Sequence, residues 1–371
     1  MKVAALVPYH TDFCAGQRFR IELWMRHLGE RGIEVEYFPF ASPALTSVLY
    51  TSGRKFHKGR LMLECYFEQL QRVMRAARPD VVYIYREAAL LGPAFIERLT
   101  RRWKAPIVYD IDEPIFIPYV SPRNGYFNRL KFFSKAHFLF EMSDHVLAVN
   151  KVIADYAARY ARRVSIVPTA VDTERYQPSK DAEPQDVTRI AWVGTLTNQP
   201  NLELVAEPLR RLRATHPSQL RVIADEPLSL PGVEVEFIPW AYDIEVPRLQ
   251  QCQIGIVPVK PSVWSAWKFF FKLIQFMSLG IPVVATPTGS NLEIIKDGVN
   301  GFLADSADEW YERLRLLTED ANLRRSMGEA ARETAKNHFG LAKQLETIEN
   351  IFRDPLDYIS NGVNHAPALS E

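Results

Sequence analysis

Two lysines four residues apart carry the clearest chemical signal in this chain of 371 residues. Lys268 and Lys272 lie in a stretch whose pattern predicts a helix ending at Gly280, with a short buried strand after it. Residues four apart share one face of a helix, so both ammonium groups are expected to point the same way. Their neighbours are apolar, which leaves no adjacent acid to pair with them. Two such cations suit a diphosphate group; an exposed basic helix edge is the alternative.

The loop that follows the strand supports the same chemistry. Gly289 turns the chain, and Ser290-Asn291-Leu292-Glu293 matches a capping box that would open the next helix. A helix N-terminus behind a glycine loop presents free backbone N–H groups to an anion. We therefore expect Gly289, Ser290 and Asn291 to donate to a diphosphate or to sugar hydroxyls, with an ordinary strand–helix turn as the alternative.

The order and spacing of these segments resemble the donor site of the GT-B glycosyltransferases of group 1, or family 4, a large group of retaining enzymes. The resemblance spans about residues 1 to 340 and is densest in the C-terminal half. It implies an α/β fold of the GT-B type, with two Rossmann-like doubly wound domains and an interdomain cleft. It also implies a nucleoside-diphosphate sugar as donor, most often of UDP or GDP, with no cofactor and no metal. The matching segments are Lys272–Met277, Gly280–Val284, Gly289, Glu293–Ile295, Asn300–Leu303, Val193–Thr195, Ser143–Val146 and Val167–Asp172.

The same resemblance extends to further residues of the donor site. Lys268 and Lys272 would neutralise the leaving phosphates, while Gln275 takes the place of a glutamate that commonly contacts the ribose in this family. A packed amide is the alternative for Gln275, and a surface arginine is the alternative for Arg18. Donor-binding roles are expected for Gly16, Arg18, Gly194, Thr195, Lys268, Lys272, Gln275, Gly289, Ser290 and Asn291.

Three acids in four residues close a predicted strand in the N-terminal half. Asp110, Asp112 and Glu113 lie at the end of the run that begins at Ile107, and alternation along the strand sends Asp110 and Asp112 to the same side. Ligands bind at the carboxyl ends of parallel strands. These three residues are therefore expected at the site, and the resemblance implies that they are catalytic groups in contact with the reacting sugar or the acceptor. The alternatives are turn formation before Pro114 and a metal site, although no histidine is spaced to complete one.

A basic and aromatic segment, Tyr119–Phe140, is the expected acceptor region. It carries Arg123, Arg129 and Lys131 and contains no acid, and Tyr9, after the first strand, is expected to join these three in contacting the acceptor. Such a segment can lie on a membrane surface near a polyprenyl-linked acceptor; a cleft-lining helix with aromatic residues in the core is the alternative. The first 170 residues hold 25 Lys and Arg against 16 Asp and Glu, and the remainder 20 against 28. The basic half is thus the one expected to face an anionic surface.

Apolar runs alternate with helical patterns along the chain, which predicts parallel sheets covered by helices. A helix is predicted around Arg18–Arg31, and a capping box at Ser306-Ala307-Asp308-Glu309. The predicted strands are Val3–Val7, Val35–Phe38, Val81–Tyr85, Ile107–Ile111, His145–Val149, Val164–Val167, Ile190–Val193, Leu220–Ala224, Val235–Ile238, Gly255–Val257 and Val283–Ala285. The polar, proline-containing stretch 173–188 lacks periodicity and is interpreted as a linker. The predicted organisation is an acceptor-binding domain at 1–172, this linker, a nucleotide-sugar domain at 189–340, a helix at 341–359 that packs back on the first domain, and a tail at 360–371.

Composition narrows the class of protein. With 47% hydrophobic and 24% charged residues the chain is globular, and its cysteines show no metal-binding spacing. No apolar run approaches the roughly 20 residues of a membrane span, so a cytoplasmic location is expected, with peripheral contact at the inner membrane face. The leading hypothesis is a retaining hexosyltransferase acting on a saccharide or lipid-linked acceptor in polysaccharide or glycolipid synthesis, without nucleic acid. A non-catalytic nucleotide-sugar-binding relative and a sugar-nucleotide epimerase on the same fold are the alternatives.

Overall fold

The structure is a computed structural model that describes residues 1–51, 53–118, 130–179 and 186–358. The chain folds into two compact units, one made of Met1–Thr169 with Gln344–Glu371 and the other of Ala170–Lys343. The predicted acceptor residues Arg123 and Arg129 lie outside the described residues, as do part of the predicted linker and the C-terminal tail. None of the described helices has the length and apolar character needed to cross a bilayer.

The first unit is built on a six-stranded sheet in which each neighbouring pair of strands is parallel. Continuous apolar runs form its central strands, which are buried along their whole length between flanking helices. The strands are β1 (Lys2–Tyr9), β2 (Glu34–Ala41), β3 (Val81–Tyr85), β4 (Ile107–Ile111), β5 (His145–Ala148) and β6 (Val164–Ile166), in spatial order β2-β1-β3-β4-β5-β6. The helices are α1 (Ala15–Gln17), α2 (Leu23–Leu28), α3 (Pro43–Leu49), α4 (Lys55–Arg75), α5 (Phe95–Leu99), α6 (Lys135–Met142) and α7 (Lys151–Ala157), with a π-helical turn at Arg18–Glu22.

The second unit repeats this design with a second parallel sheet of six strands. Its strands are β7 (Thr188–Gly194), β8 (Ser218–Ala224), β9 (Val235–Pro239), β10 (Ile254–Val257), β11 (Val283–Ala285) and β12 (Phe302–Leu303), in spatial order β12-β11-β10-β7-β8-β9. Its helices are α8 (Ala206–Thr215), α9 (Tyr242–Leu249), α10 (Phe271–Ser278), α11 (Ser290–Ile294), α12 (Ala307–Glu319) and α13 (Ala321–Phe339), with a long 3₁₀ segment at Leu196–Val205. Because all strands are parallel, the carboxyl ends of β7, β10 and β11 meet at one edge.

The last helix, α14 (Leu341–Arg353), belongs to the first unit from Gln344 onward. Its apolar face is fully enclosed at Ile348, Ile351 and Phe352. The Phe352 ring packs edge-on against Tyr83 of β3, with 5.9 Å between the ring centroids. The chain after the helix is also tied down, because the carbonyl of Pro355 lies 3.2 Å from Nδ1 of the buried His145.

The parallel α/β architecture predicted from the alternating pattern is confirmed. Each strand predicted from an apolar run is present, with ends shifted by three residues at most, whereas the two-residue strand β12 was not predicted. The predicted capping box at Ser306 is confirmed, since its Oγ accepts the N–H of Glu309 at 3.2 Å and Glu309 accepts in return. The helix predicted around Arg18–Arg31 is present but kinked: Arg20 leaves helical geometry, with φ −121° and ψ −109°, and its guanidinium is buried.

Candidate functional site

In the second unit, Lys272 occupies the edge where β7, β10 and β11 end. It is the second residue of α10, and its Nζ lies 4.6 Å from the centre of the Trp192 ring in β7. In the described part of the chain, no ion pair links it to a carboxylate. Burial, reinforced by the neighbouring Lys268 ammonium, lowers the pKa of Lys272 to about 7. A desolvated ammonium with no counterion favours an anionic ligand at this place.

Two glycines bring backbone close to these lysines. Gly289 has φ +52°, and a Cβ there would stand 2.6 Å from the carbonyl oxygens of Lys268 and Ser265, so no larger residue fits. Gly194 ends β7, and a Cβ there would stand 2.5 Å from the Trp192 indole. These contacts bring Gly289 to the Lys268 backbone and Gly194 to the Trp192 ring over which the Lys272 ammonium lies. The two partly exposed lysines form the cationic surface of this sheet edge.

The position of Lys268 differs from the sequence expectation. It precedes α10 in an extended conformation, with φ −77° and ψ 143°, rather than sharing a helical face with Lys272. Its carbonyl accepts the N–H of Ser290 at 3.1 Å, which holds the Lys268 backbone against the loop after β11. The two ammonium groups are still close enough to interact, as the lowered pKa of Lys272 shows.

Ser290 and Asn291 hold the loop after β11 together, and their expected donor-binding role stays a prediction. Both are buried, and their backbone N–H groups already donate to the carbonyls of Lys268 and Thr288. The Ser290 hydroxyl accepts the N–H of Phe270 at 3.0 Å, so no capping box forms at this helix, whose N-cap is the preceding glycine. The Asn291 amide donates to a carbonyl within its own loop. These hydrogen bonds fix the shape of the loop.

The Gln275 side chain is also hydrogen-bonded inside the second unit. Its side chain is buried, and Nε2 donates to the Tyr176 hydroxyl at 2.9 Å and to Oε1 of Glu245 at 3.2 Å. Tyr176 in turn donates to Oε2 of Glu245 at 2.7 Å. Gln275 thus joins α10 to α9 and to the segment before β7, as in the alternative of a packed amide, and its contact with a ribose stays a prediction.

Thr195 lies on the exposed side of the same edge, directly after Gly194. Its hydroxyl is 2.9 Å from that of Thr197 and accepts from the Asn198 amide at 3.1 Å. Asp225, at the end of β8, accepts the N–H of Leu196 at 2.7 Å and so fixes the start of the 3₁₀ segment. This leaves a polar, solvent-facing rim beside the cationic surface.

In the first unit, the predicted acids separate into two arginine pairs. Asp110 is fully enclosed, and its oxygens accept from Arg20 at 2.6 and 2.7 Å and also from the Tyr83 hydroxyl. Burial raises the pKa of Asp110 although Arg20 opposes the shift. No oxygen of this carboxylate faces solvent. Asp110 is therefore a buried structural ion pair here rather than a ligand contact, and its strand-end position did not reveal this.

Asp112 and Glu113 share Arg86. Asp112 accepts from Arg86 at 2.5 and 2.8 Å and from Tyr85, and despite its burial this guanidinium holds the pKa of Asp112 below its usual value. Glu113, partly exposed, lies 3.2 Å from the same arginine. Arg86 has φ +56°, a strained conformation for a residue with a side chain. Such strain is concentrated at functional sites. Arg86 and its two acidic partners are therefore candidates for a functional role.

Gly16 lies directly on this cluster. A Cβ there would stand 2.6 to 2.7 Å from Tyr85, Arg86 and Asp112, so only glycine allows the loop after β1 to approach so closely. Arg18, two residues on, is partly exposed, and its guanidinium reaches the carbonyl of Asp12 at 3.3 Å.

Two of the predicted acceptor residues, Tyr9 and Lys131, belong to the described chain, and their surroundings differ. The Tyr9 hydroxyl lies 3.1 Å from that of Tyr50, and its ring packs beside Phe13. Lys131 is exposed, in the short described stretch before α6. Burial, followed by the interaction with Tyr50, raises the pKa of Tyr9. The described residues contain no group of His, Cys, Asp and Glu arranged to hold a metal.

Sequence reasoning missed several residues of these clusters. Arg86 directly follows a predicted strand, so its place at a carboxyl end was a usable signal. Trp192 lies inside a predicted strand and resembles a core residue, while Arg20, Tyr176 and Glu245 find their partners only through the fold, between 30 and 99 residues away. Nothing local in the sequence marks these three.

Comparison with known proteins finds a glycosyltransferase family match in each of the two units. Residues 187–320 match the family described as "Glycosyl transferases group 1", and residues 16–175 match "Glycosyltransferase Family 4". The chain is 32% identical over 96 residues to N-acetyl-alpha-D-glucosaminyl L-malate synthase of Bacillus anthracis, covering 25% of each chain. It is 24% identical over 231 residues to the gpi3 subunit of phosphatidylinositol N-acetylglucosaminyltransferase of Schizosaccharomyces pombe, covering 57% of this chain and 50% of that one.

The match thus spans half or less of the length of these two curated relatives. Among solved structures, HepE of Anabaena in complex with UDP and glucose shares the fold, with a TM-score of 0.67 and 15% identity over 95% of this chain and 99% of that one. Each unit therefore matches a glycosyltransferase family model, group 1 in the second unit and family 4 in the first, on the GT-B architecture that the chain shares with solved glycosyltransferase structures.

Proposed function

We propose that the protein transfers a sugar, with retention of anomeric configuration, from a nucleoside-diphosphate donor to a saccharide or lipid-linked acceptor. The observation that carries this proposal is Lys272, a desolvated lysine with no carboxylate partner in the described chain, stacked on Trp192 beside Lys268. Lys272 is partly buried, and an ammonium that has lost much of its water without gaining a counterion is destabilised, so a bound anion would stabilise it. The site lies within the range matched to the group 1 family.

The names of the relatives support a hexose or N-acetylhexosamine as the transferred sugar. Two relatives are named for N-acetylglucosaminyl products or transfer, and HepE was solved with UDP and glucose. UDP is accordingly the first donor nucleotide to test, with GDP as the second. For the acceptor, the exposed Lys131 and the residues around Tyr9 are the proposed contacts of the first unit, together with Arg123 and Arg129.

The proposed mechanism assigns the leaving group to the second unit. Lys268 and Lys272 neutralise the departing diphosphate. Gly194 and Gly289 act indirectly, because the space a Cβ would take is filled by the Trp192 ring and by the carbonyls of Lys268 and Ser265, which these close approaches hold in place. The acceptor hydroxyl attacks the anomeric carbon as the bond to the diphosphate breaks, and a phosphate oxygen of the leaving group takes the hydroxyl proton. Asp110 is enclosed by Arg20, so it is not available as a nucleophile.

A binding experiment tests the donor site. Isothermal titration with UDP, GDP, ADP and TDP should select one nucleotide, and Lys272→Met should raise its Kd roughly ten- to hundredfold, since a charge-assisted contact is worth about 1.5–3 kcal/mol. Lys336→Ala is the matched control because Lys336 is an exposed lysine on α13 paired with Glu333 at 3.6 Å. Equal loss of affinity in both variants, or no binding by the wild type, would remove the donor site from this place.

An activity experiment tests the reaction class. The selected nucleotide sugar is incubated with and without saccharide and polyprenyl-phosphate acceptors, and the anomeric configuration of the product is read by NMR. An acceptor-dependent product with the donor's configuration supports a retaining transferase. Release of free sugar or epimerised donor alone contradicts it.

A further inference from the structure

Helix α4 of the first unit carries a second apolar face that nothing in the described chain covers. Phe56, Leu63, Phe67 and Met74 are 97%, 60%, 60% and 49% exposed. Their spacings of seven, four and seven residues place them in one row along a helix. At 1.5 Å per residue the row is roughly 27 Å long.

This row lies opposite the face that holds α4 in the fold. The buried positions of α4 are Lys58, Met62, Cys65, Gln69 and Val73. An α-helix on the surface of a globular unit normally presents polar residues to water on the side away from its core. An exposed row of large apolar side chains instead marks an interaction surface. The neighbouring helix α5, which packs against α4, adds the exposed Phe95.

The charges around this row select the kind of partner. From Arg54 to Arg78 the chain holds seven Lys and Arg against two acids, and six of the seven bases remain when the buried Lys58 is left out. Both acids are already paired on the helix surface, Glu64 with Arg60 at 2.7 Å and Glu68 with Arg72 at 3.5 Å. The excess of positive charge therefore lies towards the two ends of the row.

We propose that α4 docks the first unit on an anionic phospholipid surface. The apolar row enters the boundary between headgroups and acyl chains with the helix axis in the membrane plane, while the bases at both ends contact lipid phosphates. A second copy of the chain is the poorer occupant, because antiparallel pairing of two α4 helices would bring the basic ends together. This proposal is independent of the donor site, which lies in the other unit.

Vesicle sedimentation of the full chain tests the proposal. The protein should pellet with vesicles of phosphatidylcholine and phosphatidylglycerol and stay in the supernatant with phosphatidylcholine alone. Phe56→Ser/Phe67→Ser should lower the partition coefficient at least about tenfold, since two aromatic side chains no longer leave water. Both side chains are exposed, so the variant should keep the melting temperature and the nucleotide affinity of the wild type.

The control variant is Leu292→Ser/Val299→Ser, which removes two side chains of the second unit that are 57% and 56% exposed. It should bind the anionic vesicles as the wild type does. The proposal is overturned if the wild type ignores anionic vesicles, if it binds both vesicle types equally, or if the α4 variant binds undiminished. It is also overturned if the row instead drives dimerisation, seen as a lipid-free dimer in sedimentation that the α4 variant loses.

Discussion

Lys272 is the side chain whose surroundings point most directly to an anionic ligand. Its ammonium lies over Trp192, close to Lys268 and away from acids in the described chain, so the folded protein disfavours its charge. The pKa of about 7 lies below the value of 10.5 for a free lysine. Between these values the unfolded chain binds the proton and the folded chain does not, so this residue makes the free protein more stable as the pH rises.

A bound diphosphate should raise the pKa of Lys272 again, so that the amine takes up a proton. At pH 8 much of Lys272 is neutral in the free protein, whereas the terminal phosphate of UDP, with a second pKa of about 6, has already lost its proton. Binding should therefore take up a fraction of a proton, and affinity should fall as the pH rises above 7. Titrations in HEPES and Tris, which differ in ionisation enthalpy, measure the uptake. Identical binding enthalpies in both buffers, or equal uptake by Lys272→Met, would contradict this account.

Gly289 should resist substitution for two separate reasons. Alanine there adds the cost of a positive φ and a Cβ at 2.6 Å from two carbonyl oxygens. Gly298 offers the matched control, because it has φ +76° but its nearest neighbour to a Cβ is 4.0 Å away. Gly298→Ala should cost about 1–2 kcal/mol of unfolding free energy and spare nucleotide binding. Gly289→Ala should cost more and weaken binding; equal costs in urea unfolding would show that the close approach is unimportant.

At the scale of elements, the sequence predicts most where a signal is local. The strands follow from apolar runs such as Val81–Tyr85 and Ile107–Ile111, whose bounds are those predicted. The prediction placed Lys268 in the helix because the apolar Phe269 and Phe270 continue the helical pattern. In the structure, the loop at Gly289 holds the Lys268 backbone extended. The local sequence pattern predicts each strand and where it ends. It does not predict which side chains meet at the strand ends, because those side chains come from distant parts of the chain.

The tie between α9 and α10 is such a non-local feature. Gln275→Glu would place a carboxylate beside Glu245, at the 3.2 Å now bridged by an amide N–H. The buried like charges and the lost donor should lower the unfolding free energy by about 1–3 kcal/mol. Adding Glu245→Gln restores one donor and one acid and should recover most of the loss. Full stability of the single variant in urea unfolding would refute this role for Gln275.

At the scale of the whole molecule, each unit has its own parallel sheet, yet the first depends on the end of the chain. Ile348, Ile351 and Phe352 are fully enclosed in it, and Arg31 pairs with Glu349 at 2.7 Å. The segment after α14 then reaches His145, which also lies 2.8 Å from the Ser165 hydroxyl. These contacts make the C-terminal segment part of the first unit's core.

The attachment of the C-terminal segment to the first unit should weaken in acid. Burial lowers the pKa of His145 to about 4, below the 6.5 of a free histidine, so the unfolded chain alone takes up the proton as the pH falls through this range. His145 should therefore cost the folded protein up to about 3 kcal/mol between pH 6.5 and 4. Urea unfolding at pH 7 and pH 4.5 should show a smaller acid loss for His145→Gln than for the wild type. Parallel losses would assign the acid sensitivity to other groups.

The return of α14 also sets an order of events during synthesis. A ribosome adds roughly 5–20 residues per second, so the 174 residues of Ala170–Lys343 take about ten to thirty-five seconds to emerge after Thr169. Throughout that interval the nascent first unit lacks the helix that seals Tyr83, whereas the second unit is contiguous and can close as soon as it leaves the exit tunnel. The half of the protein that is translated first is thus completed last, and its unsealed core is the surface a chaperone would meet.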